Sequence, residues 1–350
     1  MNKVRIYFNR WFSVAYHYMN LIRNNEDGMQ FEIYGTHSDP ANMALQGCDH
    51  AEQEPKVTGM EYVEFCLDFC SRHQIDVFIP RWNMLDISRN IHLFEANGTR
   101  VMVLSDTGLL EQLMEKDRFY QSVRELGIMQ IPEYYAVSNA DQFSKAYEAL
   151  VDQGFKVCFK PCNGEGGMGF RVIDNSRNPL QELFGHAQNR ISYEDAYLAF
   201  SSVESFQNIM VMELLEGYEY SIDCLADREG QLLAAVPRRK AGGRLRLLEE
   251  NTELLQIAAD VAAAYRIPYN FNIQMKYNSG VPKLLEINPR MSGGLHTSCL
   301  SGINFPYLAV RLALGLDVGE LQPQYGILAS HVEQPLVIDA GKVRGHAADS

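Results

Sequence analysis

Two stretches of this chain combine residue types and spacings that can do chemistry. The first is Asn163-Gly164-Glu165-Gly166-Gly167-Met168-Gly169, which contains G-x-G-x-x-G at 164, 166 and 169. A dinucleotide site of that pattern needs a helix beginning at the loop, so that the helix N-terminus holds a pyrophosphate. Here Phe170-Arg171-Val172-Ile173 follows, a β-rich run, so the loop reads as a hairpin tip. A Walker loop is excluded because Phe170-Arg171 stands where Lys-Ser/Thr is required, and a protein kinase is excluded because no H-R-D or D-F-G follows. Two readings stay open. One is a glycine lid whose backbone N–H groups, including those of Gly164, Gly166, Gly167 and Gly169, close over phosphates, with Lys160 adding a point charge. The other is a plain glycine-rich hairpin.

The second stretch is a pair of strands over 269–277 and 281–288, joined by Asn278-Ser279-Gly280, residues that tolerate positive φ. Alternation places Ile273, Met275, Leu285 and Ile287 on one face and Asn272, Gln274, Glu286 and Asn288 on the other. One carboxylate with amide oxygens is a hard donor set that suits Mg2+, an ion that keeps waters and takes further ligands from nucleotide phosphates. Pro289 ends the strand, and Arg290 supplies a fork-shaped donor beside it. The alternative is a solvated polar sheet face carrying a chance glutamate.

Positioning these residues requires a scaffold, and the first hundred residues have the pattern of one. Strands expected at 4–8, 31–34, 75–79 and 101–104 alternate with helical periodicity, the signature of an open, mostly parallel α/β sheet. Thr58 and Glu61 form a capping box ahead of Val63, Cys66, Phe69 and Cys70, and a second helix is expected over 84–96. After the first strand stands Asn9-Arg10-Trp11-Phe12 rather than a phosphate-binding glycine loop, so the domain is Rossmann-like in pattern only. Arg10-Trp11-Phe12 are a candidate substrate contact at a strand end. A helix over 109–126, ended by Gly127, and one capped by Ser138 and stopped near Gly154 lead into a β-rich α+β half, with strands at 155–160, 170–173, 209–214, 220–226 and 232–236. Helical intervals are expected near 179–206 and 251–265. The boundary between the halves falls near residue 110, and residues 341–350 read as a loose polar end.

Composition limits what this scaffold can meet. Against 350 residues there are 31 Lys+Arg and 44 Asp+Glu, a formal charge of -13, which disfavours nucleic acid and anionic membrane as partners. An anionic ligand therefore needs a local basic pocket. No apolar run has the length of a membrane span, and the first residues read as a strand, so a cytoplasmic location is expected. The 7 cysteines are scattered without a C-x-x-C pair and read as buried thiols. No histidine spacing suggests a metal site. Arg238, Arg239, Lys240, Arg244 and Arg246 cluster around Gly242-Gly243, either a clamp for an acidic substrate or solvated surface. Ser292, Gly293 and His296 are candidates for shaping an acceptor pocket, with packing the other reading of His296.

Taken together, the ordered motifs resemble the ATP-grasp superfamily, most closely the half-module of the carbamoyl phosphate synthetase large subunit and related carboxylate-amine ligases. They are Glu115-Lys116-Asp117-Arg118, Phe159-Lys160-Pro161 with its glycine loop, Met212-Glu213-Leu214-Leu215-Glu216-Gly217-Tyr218-Glu219, Asn272-Ile273-Gln274 and Leu285-Glu286-Ile287-Asn288-Pro289-Arg290. The resemblance implies a Rossmann-like α/β domain over 1–110, an ATP-grasp fold of two α+β lobes over 111–325 with a mobile lid at about 130–208, and an extension over 326–350. It implies that Lys116 and Lys160 contact nucleotide phosphates, Glu213 and the Leu215 backbone read adenine, and Glu219 binds ribose. Gln274, Glu286 and Asn288 would hold Mg2+ (or Mn2+), and Arg290 would stabilise the transferred phosphoryl group. The implied activity is Mg-ATP-dependent activation of a small-molecule carboxylate as an acyl phosphate for attack by an amine. The rivals are bicarbonate phosphorylation and a non-catalytic ATP-binding regulator; a homodimer is a further expectation by resemblance.

Overall fold

The computed structural model describes residues 3–163, 167–178, 180, 189–333, 335 and 337. Three sheets organise it. The first has the order β3-β2-β1-β4-β5, from β1 (Val4–Asn9), β2 (Phe31–His37), β3 (His50–Gln53), β4 (Val77–Ile79) and β5 (Arg100–Val101), and every pairing is parallel. Helices on both faces explain why the central strands are apolar throughout. On one side Ile6, Phe8, Ile33, Val77 and Ile79 join a core; on the other, Tyr7 stacks between Phe69 and Phe78 at ring distances of 4.4 and 4.5 Å. The edge strand β3, exposed and polar, has no hydrophobic period for sequence reading to detect. β5 is shorter than expected: Met102 to Leu104 are buried beyond its end, and only the Met102 N–H still donates to β4, at the Phe78 carbonyl.

Several expected helices differ in detail. The helix expected over 84–96 is two, Met84–Arg89 and Ile91–Ala96, because the Asn90 side chain bonds back to the Asp86 carbonyl at 2.8 Å and competes with the backbone there. That over 109–126 is also two, Thr107–Met114 and Lys116–Leu126, parted by an extended Glu115. Thr58 stands at the N-cap of Gly59–His73 but makes no side-chain cap bond, so the expected capping box is not formed. Further on, the cap of Ala140–Asp152 is Asn139, accepting from the Gln142 N–H, rather than Ser138.

The second sheet, β6-β10-β7-β8-β9, comprises β6 (Tyr134–Val137), β7 (Val157–Pro161), β8 (Arg171–Ile173), β9 (Arg190–Ile191) and β10 (Ile209–Glu213). Its core gathers Phe143, Ala146, Leu150, Val157, Phe159, Ala196, Ile209 and Val211. β7 and β8 pair antiparallel, Cys158 with Val172 and Phe159 with Arg171, so the glycine loop does connect hairpin strands. Gly164 and Gly166 lie outside the described residues. Gly167 and Gly169 both have φ of 75°, and a Cβ at Gly169 would meet the Pro161 ring at 2.7 Å. Of the helix expected near 179–206, the described residues form β9 and a helix over Tyr193–Ser201; 179 and 181–188 lie outside them.

The third sheet runs β15-β14-β11-β12-β13-β16, from β11 (Glu219–Ala226), β12 (Leu232–Lys240), β13 (Arg246–Leu248), β14 (Tyr269–Asn278), β15 (Val281–Asn288) and β16 (Ile327–Ala329). The β14–β15 loop is Ser279-Gly280, with φ of 50° and 83°, the positive pair that a two-residue hairpin turn requires. By compactness the chain forms two units, one of 1–111, 219–274 and 287–350, the other of 112–218 and 275–286. In the first unit one hydrophobic core runs without a break from Ile6, Trp11 and Tyr18 to Leu225, Val236, Leu295 and Phe305. The division of the sequence at 110 and 325 remains a proposal, distinct from these units. Among the described residues no helix is long and apolar enough to cross a membrane.

Candidate functional site

In the second unit three candidate residues come together. Lys116 opens the helix Lys116–Leu126, Lys160 sits near the end of β7, and Glu286 lies on β15. The Lys116 ammonium is 3.9 Å from the Glu286 carboxylate. Burial, then the Lys116 charge, pulls Lys160 down to about 8, offset in part by Glu286. Lys160 lies over the Tyr120 ring at 5.6 Å and forms no salt bridge with any described residue. Two ammonium groups beside one carboxylate are groups that can meet phosphate oxygens.

The local backbone of β15 departs from simple alternation. Leu284 and Ile287 are buried, three residues apart, whereas Leu285, expected on the apolar face, is only partly covered. The Tyr120 hydroxyl lies 2.8 Å from the Leu284 carbonyl and 2.9 Å from that of Leu285. Consecutive carbonyls of a regular strand point apart, so their convergence on one hydroxyl marks a local irregularity of the bulge kind. Such features re-aim a side chain, and here the next residue is Glu286. Tyr120 was not singled out from sequence; an aromatic on the buried side of a helix reads as core.

Glu213 and Leu215 also fall in this unit, both buried. The Glu213 carboxylate is ion-paired with Lys283 and accepts from the Glu133 N–H at 3.3 Å. Gly217 donates to the Tyr277 carbonyl at 2.9 Å, and a Cβ on it would stand 2.7 Å from that oxygen, so only glycine lets the two backbones approach. The segment that carries Glu213, Leu215 and Gly217 is therefore pinned at both ends.

The first unit holds a different cluster. Asp223 on β11 is fully buried, and its carboxylate has a full set of donors. Ser292 Oγ and Asn272 Nδ2 reach one oxygen at 2.6 and 2.9 Å; Ser298 Oγ and the Arg238 guanidinium reach the other at 2.6 and 3.1 Å. Tyr18 donates to the Ser292 carbonyl, and a Cβ on Gly294 would lie 2.5 Å from the Arg238 guanidinium. Asn272, expected on the polar face with Gln274, Glu286 and Asn288, is thus an interior linker. Asp223 and Ser298 escaped sequence reading because nothing marks a lone Asp or Ser as a hub.

The basic residues of 238–246 take different partners. Arg238 turns inward to Asp223, Arg239 pairs with Glu249 at 2.9 Å, Lys240 with Glu219, and Arg244 with Glu333. Alternation along β12 turns Arg239 to the face opposite Arg238 and Lys240. Gly293 is exposed. His296 stacks on His17 with ring centres 4.7 Å apart, and burial drives it down to about 4, so it is a neutral packing group. Arg290 donates to the Asn288 side-chain oxygen at 3.0 Å and to the Met291 carbonyl at 3.1 Å. Gln274 is partly exposed near the middle of β14.

Comparison with known structures decides the fold. N5-carboxyaminoimidazole synthetase from Staphylococcus aureus superposes with a TM-score of 0.65 at 11% identity, covering 91% of this chain and 80% of that one. An L-amino acid ligase from Bacillus licheniformis gives 0.62 at 13% identity, covering 92% and 78%. The chain has the ATP-grasp fold. The family described as "ATP-grasp in the biosynthetic pathway with Ter operon" matches residues 205–335 of this chain. Among curated proteins, the arginine-specific carbamoyl phosphate synthase large chain of Geobacillus stearothermophilus is 27% identical over 222 residues. That of Bacillus subtilis is 25% identical over 256. The matches cover 61% and 66% of this chain but only 20% and 23% of those relatives. The chain thus spans about a fifth of their length.

Proposed function

We propose that this chain is a Mg-ATP-dependent ligase that activates a small-molecule carboxylate as an acyl phosphate for displacement by an amine, releasing ADP and phosphate. The observation that carries the reading is the convergence of Lys116, Lys160 and Glu286 within an ATP-grasp fold. Lys116 and Lys160 bind phosphate oxygens, and a lysine held near 8 gains charge when a phosphate arrives. Glu213 and the Leu215 backbone receive the base, and Glu219 the ribose. Gly164, Gly166, Gly167 and Gly169 close over the phosphates. One carboxylate, Glu286, with the amide oxygens of Gln274 and Asn288, is a hard-oxygen donor set that fits Mg2+. When bound, the ion supplies charge neutralisation for phosphoryl transfer. Arg290, already held by Asn288, stabilises the charge on the transferred group. Phosphoryl transfer asks mainly for positioning and charge, and no general base is assigned. A homodimer, small acid and amine substrates, and domains at 1–110, 111–325 and 326–350 complete the proposal.

The test is incubation with Mg-ATP, hydroxylamine and a fractionated pool of small carboxylic acids, scored for ADP and for hydroxamate by mass. Hydroxylamine intercepts an acyl phosphate before the natural amine is known. A hydroxamate supports the reading and identifies the acid. The likeness to carbamoyl phosphate synthase large chains favours a second reading, phosphorylation of bicarbonate, whose sign is bicarbonate-dependent ADP release with no organic acid. Mg-ATP binding without either product would favour a regulator. Glu286→Ala should lower Mg-dependent turnover at least about a hundredfold with the fold retained; near-normal turnover overturns its assignment.

A further inference from the structure

Tyr120 is fully buried in the second unit, yet it carries a polar group and meets three elements there. It stands one helical turn after Lys116, so the two side chains leave the same face of the helix Lys116–Leu126. Its ring lies beneath the Lys160 ammonium of β7 at 5.6 Å, and Tyr134 of β6 closes against it edge-on, with ring centres 5.3 Å apart and planes at 84°. Its hydroxyl reaches the Leu284 and Leu285 carbonyls of β15. Leucine or phenylalanine would fill much of the same space, but a phenol offers a π face to one neighbour and an O–H to another.

The hydroxyl serves the strand. β15 stands at the end of its sheet with β14 on one side, and a strand edge leaves N–H and C=O groups that need partners. Here the Leu284 N–H donates to the Gln130 carbonyl at 2.9 Å, and Tyr120 donates to the carbonyls of Leu284 and Leu285. The backbone just before Glu286 is therefore tied down from its open side, and the direction of the Glu286 side chain with it. The ring answers a different need. Burial disfavours the Lys160 ammonium, and an aromatic face at this distance attracts a cation. A carboxylate in its place would stabilise the charge but occupy the N–H donors; a π face leaves them available to an anion.

We infer that Tyr120 is a positioning residue of the nucleotide site: its ring holds the Lys160 ammonium for a phosphate oxygen, and its hydroxyl holds the Leu284–Leu285 backbone so that Glu286 is presented to Mg2+. The inference rests on the nucleotide and Mg2+ sites of the ligase reading. It assigns two separable tasks to one side chain, one to the ring and one to the hydroxyl.

The test uses the full chain and two probes. ADP in EDTA reports on the lysine side, and Mn2+ added to the ADP-saturated protein, followed by the electron spin resonance of free Mn2+, reports on Glu286. Tyr120→Phe keeps the ring and removes the hydroxyl, so Mn2+ should bind at least about threefold more weakly and ADP within about twofold of wild type. Tyr120→Met removes the ring as well and should also weaken ADP at least about fivefold. In a Lys160→Met background that loss of ADP affinity should vanish, because the ring acts through the ammonium. A tyrosine that only fills the core would lower stability to denaturant in both variants, leave the two affinities unseparated and show no coupling to Lys160. Unchanged Mn2+ affinity in Tyr120→Phe, or an ADP loss in Tyr120→Met that persists without Lys160, overturns the inference, and hydroxamate formation by the wild type would then leave the ligase reading intact. If Tyr120→Met does not fold, the nearly isosteric Tyr120→Phe decides alone. A wild type that lacks either affinity sinks the inference together with the site it serves. The stated split with no hydroxamate from any acid would overturn the acyl-phosphate chemistry and leave Tyr120 in its role.

Discussion

The Asp223 cluster and the Lys116–Lys160–Glu286 cluster each gather charged side chains inside the protein, yet they are built in opposite ways. Around Asp223 each carboxylate oxygen has two close donors, and the one cation is matched by the one anion. Around Glu286 the Lys116 ammonium is 3.9 Å away, Lys160 also feels the carboxylate, and burial with the Lys116 charge lowers Lys160 to about 8. A saturated cluster fixes structure: it ties β11, β12 and β14 to the segment that follows Arg290. A cluster with surplus positive charge stores an electrostatic cost that an incoming phosphate relieves. The first holds a scaffold rigid, and the second, on the proposed reading, meets a phosphate.

Substitutions can break or sharpen this contrast. Asp223→Ala strands a buried guanidinium and should destabilise the fold by about 3–5 kcal/mol, measured by denaturant unfolding; a loss under about 1 kcal/mol would show that the cluster is not a scaffold. Gly294→Ala places a methyl group against the Arg238 guanidinium and should cost about 1–3 kcal/mol by the same measurement, through displacement of the Asp223 pair. Lys160→Met should do the opposite. It removes a cation that the fold disfavours, so stability should be kept or rise, while the apparent Mg-ATP requirement in an ADP-release assay rises at least about tenfold. A destabilised Lys160→Met with an unchanged requirement would erase the distinction between the clusters.

The smallest effect concerns pH. His296 titrates near 4 in the fold against 6.5 ordinarily, because it is buried beside His17 and Arg238. Between those values the unfolded chain binds the extra proton, so stability falls as pH drops from 6.5 toward 4. In His296→Phe that part of the slope should vanish. Thermal unfolding of both proteins across this window measures it, and parallel curves would mean that His296 titrates normally.

Legibility followed period and motif. The bounds of β15 were read to the residue, since a positive-φ turn and Pro289 delimit it, while its faces were not; β3 was missed because His50–Gln53 is a polar edge. Lys116, Lys160 and Glu286 stood out in ordered motifs and are brought together in one unit. The row at 238–246 read as a clamp for an acidic substrate or as solvated surface, and the fold pairs its members with Asp223, Glu249, Glu219 and Glu333.

By itself the sequence determined the parallel order of the first domain, the hairpin nature of the glycine loop, and the residue types offered to phosphate and metal. These are local properties, set by side-chain period and backbone preference over a few residues. Only the tertiary structure decided which charges are satisfied. Asp223 and Ser298 are 75 residues apart, and Tyr18 and Ser292 are 274 apart. Phe12 meets Arg81 and Arg290 only where strand ends converge. Burial and pairing depend on neighbours distant in sequence, and no local pattern encodes them.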